Sequence, residues 1–186
     1  VVAGWSRDAV PDVSATREAI DLTKAVATDV NVGVLEERTM MKPEFDVSQF
    51  VSYEKVYNAT YTAEGKMKTA QALADFVLSD FSPKKWNKEL YSKLSNMFHH
   101  IAEYDMGGFF DVWFSSDRKK LAWIKNAMEF QPCGDPRFTH CDVERAIRAW
   151  LSTSGLREMY QGRVAVDLEA RERQELKRLQ QKYGEA

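Results

Sequence analysis

The chain has 186 residues, 44% of them hydrophobic and 29% charged, with a formal net charge of −2, the profile of an ordinary globular protein. That length buries roughly 70% of the surface an unfolded chain exposes, so neither disulfides nor a structural metal is required for stability. No apolar run approaches the roughly 18 residues that cross a bilayer, and two cysteines, Cys133 and Cys141, are too few for a secreted disulfide framework. The opening Val1–Asp8 has neither the basic leader nor the apolar stretch of a secretory signal, which favours a cytoplasmic setting.

The amino-terminal stretch is acidic in balance and the remainder mildly basic. This shift suggests an acidic helical arm over 1–45, a helical core over 46–162 and a charged helix over 163–186. Within the arm, Ser14 is placed to cap a helix whose Ala19, Leu22, Val26 and Val30 share one face, ended by Asn31 and Gly33. After a connection around Pro43, Asp46 starts an element carrying Phe50, Tyr53, Tyr57 and Tyr61, whose spacing and composition suit a helix or a strand.

Met67, Ala70, Ala74, Val77, Leu78 and Phe81 predict a helix that stops at Ser82-Pro83. A second helix presents Trp86, Leu90, Leu94, Met97, Phe98 and Ile101, the most regular face in the chain, and Gly107-Gly108 is read as its end. The run Phe109–Phe114 reads as a short buried strand because it is aromatic and brief. Ser115 or Ser116 then caps a third helix with Leu121, Ile124 and Met128 inward, and Pro132–Pro136 breaks the chain. Thr139 and Asp142 resemble a capping box for a fourth helix bearing Val143, Ala146, Ile147, Trp150 and Leu151, which Gly155 closes. From Asp167 to Tyr183 a charge-dense helix shows only a thin apolar side, Leu168, Leu176, Leu179 and Tyr183. The expected fold is therefore mainly α, a bundle-like single domain of about five to seven helices, with room for one short aromatic strand or hairpin.

Chemistry-bearing clusters are few. His99, His100, Glu103 and Asp105 sit together, and an imidazole beside a carboxylate is what general-base catalysis uses. A zinc site would add Cys133, His140 and Cys141, but the spacing matches no common zinc motif. Nucleophile elbows, phosphate loops and dinucleotide fingerprints are absent, and no cofactor is expected. Lys84, Lys85 and Lys88, then Arg118, Lys119 and Lys120, make two basic groups that would contact phosphates in a nucleic-acid binder. The favoured reading is a non-enzymatic interaction protein: an adaptor, an assembly subunit or an inhibitor of a macromolecular machine. It would act on a protein partner, or on a second copy as a homo-oligomer, through its acidic amino-terminal region and through Leu176, Leu179 and Tyr183 of the last helix. Its alternatives are a nucleic-acid binder and an acid/base or metal-dependent enzyme.

Overall fold

The computed structural model describes residues 42–53, 61–98 and 105–184. The helix read after Ser14, together with Tyr57, His99, His100, Ile101 and Glu103, lies outside the described residues.

Six α-helices and no strand form among the described residues: α1 (Ala63–Leu78), α2 (Lys88–Leu94), α3 (Met106–Trp113), α4 (Asp117–Glu129), α5 (Cys141–Thr153) and α6 (Leu156–Tyr183). Short polar side chains start most of them. Thr62 Oγ1 accepts from the Gly65 amide at 3.1 Å and Asn87 Oδ1 from the Leu90 amide at 2.9 Å. Asp105 Oδ1 accepts from the Gly108 amide at 2.7 Å, and Ser116 caps α4 through the Lys119 amide at 3.4 Å. Each such cap satisfies an otherwise orphaned donor and stabilises by about 1 kcal/mol. Asp46 opens a single 3-10 turn, Val47–Gln49, which ends at Phe50 in an extended conformation, and Val51–Tyr53 carry no regular structure.

The mainly α bundle-like architecture is as expected, but four local readings are corrected. The run Phe109–Trp113 belongs to helix α3, with Phe114 as its C-cap, rather than to a strand. Phe109, Phe110, Trp113 and Phe114 stand at i, i+1, i+4 and i+5, which share one helical face; Phe109 and Phe114 are fully buried and the other two are half-buried. Gly107 and Gly108 therefore open a helix under the Asp105 cap instead of ending one, and neither has a positive φ. The second helix is only Lys88–Leu94. Its face stays buried past that point, at Met97 and Phe98, but the chain turns there, with Phe98 at φ +54° and its amide held by Glu144 Oε1 at 3.1 Å. Finally, no capping box forms at Thr139, because the Asp142 carboxylate is drawn inward to Lys66 and α5 starts without a side-chain cap.

Helix α4 packs against both α5 and α6, and α1 against α5. At their meeting point Phe76, Phe81, Phe114, Trp123 and Tyr160 are all fully buried. Phe81 stacks on Phe114 at 4.9 Å between centroids and meets Phe76, Trp123 and Tyr160 edge-on at 5.3, 5.6 and 6.0 Å. Edge-to-face and offset pairs of this kind add to the burial of large apolar area.

Candidate functional site

Helix α6 has 28 residues, a length of about 42 Å at the standard rise. Only Leu156 and Tyr160 are buried, Met159 and Val164 are half-buried, and every described residue from Ala165 onward is exposed. The helix is thus anchored at its start and presents its last five turns to solvent. Gly155, at φ +74°, lets the chain turn out of α5, since a left-handed conformation costs glycine no steric strain.

The anchor is built around Asp80. Asp80 and Phe81 follow α1 in consecutive left-handed conformations, φ +60° and +54°, where a non-glycine residue is strained. Packing and charge hold them there. The Asp80 carboxylate accepts from the Tyr160 hydroxyl and from Arg163 at 2.9 Å, and Lys120 pairs with its other oxygen at 3.2 Å. Arg163 also lies over the Tyr160 ring, 5.1 Å from its centroid. Burial opposes ionisation of Asp80, yet hydrogen bonds from Tyr160, Lys120 and Arg163 together with the Lys120 charge outweigh it and hold the carboxyl below its usual range. Burial and the neighbouring Asp80 charge push the Tyr160 hydroxyl far above the ordinary tyrosine range, so it remains a donor.

Beyond the anchor, the apolar positions form a line. Ala165, Leu168, Leu176, Leu179 and Tyr183, with Glu172 in the gap, recur at intervals of three and four residues, and Leu168, Leu176, Leu179 and Tyr183 are 55%, 56%, 39% and 64% exposed. At 100° per residue this stripe lies about 120° around the helix from Leu156, Tyr160 and Val164, which face the body. It points away from the body rather than toward it. The charged sides carry intrahelical pairs, Asp167–Arg171 at 2.7 Å, Glu169–Arg173 at 2.5 Å and Glu175–Arg178 at 2.6 Å, of the spacing that supports a helix lacking tertiary contacts.

A second polar constellation lies inside the body. Lys66 is fully buried and its Nζ donates to Asp142 Oδ2 at 2.9 Å, to the Val51 carbonyl at 2.9 Å and to the Pro136 carbonyl. Asp142 also accepts from the Val51 amide at 3.0 Å and, through its other oxygen, from the Val143 amide at 3.0 Å. Three acceptors use all three ammonium hydrogens, so the group ties the segment at Val51 and the loop at Pro136 to α1 and α5. It is a clamp, with no proton left to donate to a substrate.

His140 stands beside this clamp, its ring 4.9 Å from that of Tyr61, and its buried Nε2 has no hydrogen-bond partner among the described residues. Burial, and next the Lys66 charge, push its pKa below the ordinary imidazole value, with Asp142 acting the other way. A cavity of about 440 Å³ opens next to it between Tyr61 and α2. Cys141 is buried, its Sγ 3.4 Å from the Gly134 carbonyl, whereas Cys133 is exposed. Among the described residues no group of three or more His, Cys, Asp or Glu side chains is placed to hold a metal. Asp105, from the expected acid/base cluster, is occupied as the cap of α3.

The two basic groups are partly committed as well. Lys85 donates to the Asp75 carbonyl at 3.0 Å, Lys119 to the Asp111 carbonyl, and Lys120 pairs with Asp80 and with Asp117 at 3.4 Å. Lys84, Lys88 and Arg118 are exposed. Leu176, Leu179 and Tyr183 are brought together on one helix face as the spacing predicts. The Asp80 anchor and the Lys66–Asp142 clamp were not expected from the sequence. Lys66 stands four residues before Ala70, on the same stripe as the core face of α1, and that position is the signal that marks it as an inward-facing lysine.

No family model matches the sequence, and neither a curated protein nor a solved structure matches it. No helix among the described residues is long and apolar enough to cross a membrane.

Proposed function

We propose that this chain is a non-enzymatic interaction protein whose docking element is the outward segment of α6. The observation that carries the reading is the contrast along one helix. Its first turns are fixed by Tyr160 and the Asp80 network, while Leu168, Leu176, Leu179 and Tyr183 lie exposed on the side turned from the body. Folding of the body does not use those side chains, and leaving four large apolar groups in line in water is unfavourable unless a partner covers them. The body serves as the platform that orients the helix, and the acidic amino-terminal region favours encounter with basic partner surfaces. An assembly subunit or adaptor fits this arrangement.

The test compares the wild type with Leu179→Glu/Tyr183→Glu in cells, counting proteins covalently captured by a short-range cross-linker. The reading expects captured proteins to be lost from the variant while its thermal midpoint stays within about 2 °C of wild type, as surface changes allow. Equal capture by both chains would refute it.

A further inference from the structure

We propose that the outward segment of α6 pairs antiparallel with the same segment of a second copy of this chain, an inference that rests on the docking role of α6. The direction comes from charge. Asp167, Glu169 and Glu172 against Arg171 give residues 167–172 a net charge of −2, and Arg173, Lys177, Arg178 and Lys182 against Glu175 give residues 173–183 a net +3. A parallel pair sets like charge on like charge along its whole length. An antiparallel pair sets the acidic stretch of each helix against the basic stretch of the other, which attracts at both ends.

The apolar spacing fits the same arrangement. Taking a two-fold axis at position 174, Ala165 meets Tyr183 of the other copy, Leu168 falls within one residue of Leu179, and Glu172 lies beside Leu176. Every large apolar residue of the stripe thus gains an apolar neighbour except Leu176. In this register Glu172 faces Leu176 of the second copy, with Lys177 of that copy one position further on, and it is the one polar position of the seam. A single polar residue in such a seam fixes register and direction at some expense in affinity.

The shape of the anchor allows it too. The stripe lies about 120° from the body-facing side and is exposed, so the second helix approaches from the open side. The two bodies then sit at opposite ends, with their Tyr160 positions about 42 Å apart along the axis by the 1.5 Å rise per residue. Such a contact is isologous and closes on itself at two copies. The product is a short rod with a body at each end.

The test is sedimentation of the purified full-length chain up to about 100 µM, joined to disulfide trapping in a Cys133→Ser background. The inference expects a dimer whose dissociation constant rises at least about 100-fold in Leu176→Glu/Leu179→Glu, with helix content unchanged. It further expects Leu168→Cys chains to couple to Leu179→Cys chains when mixed. Leu168→Cys should not couple to itself, because antiparallel pairing leaves those positions about 18 Å apart along the axis. A monomer at that concentration overturns the inference, and so does self-coupling of Leu168→Cys, the mark of a parallel pair. A monomer whose capture of other proteins still depends on Leu179 and Tyr183 overturns the pairing while leaving the docking role of α6 standing. A dimer indifferent to Leu176→Glu/Leu179→Glu overturns the pairing, and the docking role falls separately if capture is also unchanged.

Discussion

Replacing Asp142 by alanine removes the only carboxylate paired with Lys66 among the described residues and leaves an ammonium group, itself fully buried, on two carbonyl oxygens. It also strips the Val51 amide of its acceptor. A buried pair broken on one side costs about 3–5 kcal/mol, because the remaining charge stays desolvated without its counter-charge. For a chain of this length each kcal/mol moves the thermal midpoint by about 2–4 °C, so Asp142→Ala should melt roughly 6–20 °C below wild type. The double replacement Lys66→Met/Asp142→Leu removes both charges and fills similar volume, and should recover most of that loss. Urea unfolding monitored by tryptophan fluorescence gives the free energies of the wild type, Asp142→Ala and the double variant that this comparison needs. A loss below about 1 kcal/mol in Asp142→Ala would refute the clamp, since that is the range of an exposed ion pair.

The remaining predictions concern the anchor, the turn and the buried imidazole. Tyr160→Phe should cost about 1.5–3 kcal/mol, the range for a hydrogen bond to a charged group, and should open the start of α6 to limited proteolysis. Gly155→Ala should cost about 1 kcal/mol from its left-handed backbone, since a methyl group there meets nothing within 4 Å. His140 has a folded pKa below its unfolded value of about 6.5, so between those two values the unfolded chain binds more protons and stability rises with pH. Its contribution is fully present above pH 6.5 and is lost as acidification proceeds toward the folded pKa. Unfolding measured from pH 7.5 to 5 should fall less steeply in His140→Phe than in wild type, and parallel curves would contradict the assignment.

Much of the bundle is legible in the sequence because its signals are local. The core faces of α1, α4 and α5 follow helical spacing, and Ser116 and Gly155 mark a start and a stop through backbone chemistry confined to one turn. The misreadings arise where distant partners decide. Phe98 belongs to the helical spacing of the preceding residues, but Glu144 of α5 holds its amide in a turn. Asp142 sits three residues after Thr139, as a capping box requires, yet the charge of Lys66 on α1 claims it. The aromatic run of α3 misleads because its i, i+1, i+4, i+5 pattern is short enough to resemble a continuous apolar strand. For α6, sequence spacing exposes the thin stripe of Leu176, Leu179 and Tyr183, whereas the Asp80 anchor that turns this stripe outward depends on a contact between α6 and the end of α1.

The most direct test of the docking role of α6 is amine-reactive cross-linking of the chain in its own cells, followed by mass-spectrometric mapping of its lysines. Lysines are spread over both surfaces in question, Lys177 and Lys182 on the outward helix and Lys84, Lys85, Lys88 and Lys119 on the body. If α6 is the docking element, links to other chains concentrate at Lys177 and Lys182. Links confined to the body lysines, with Lys177 and Lys182 joined to nothing, would contradict the account.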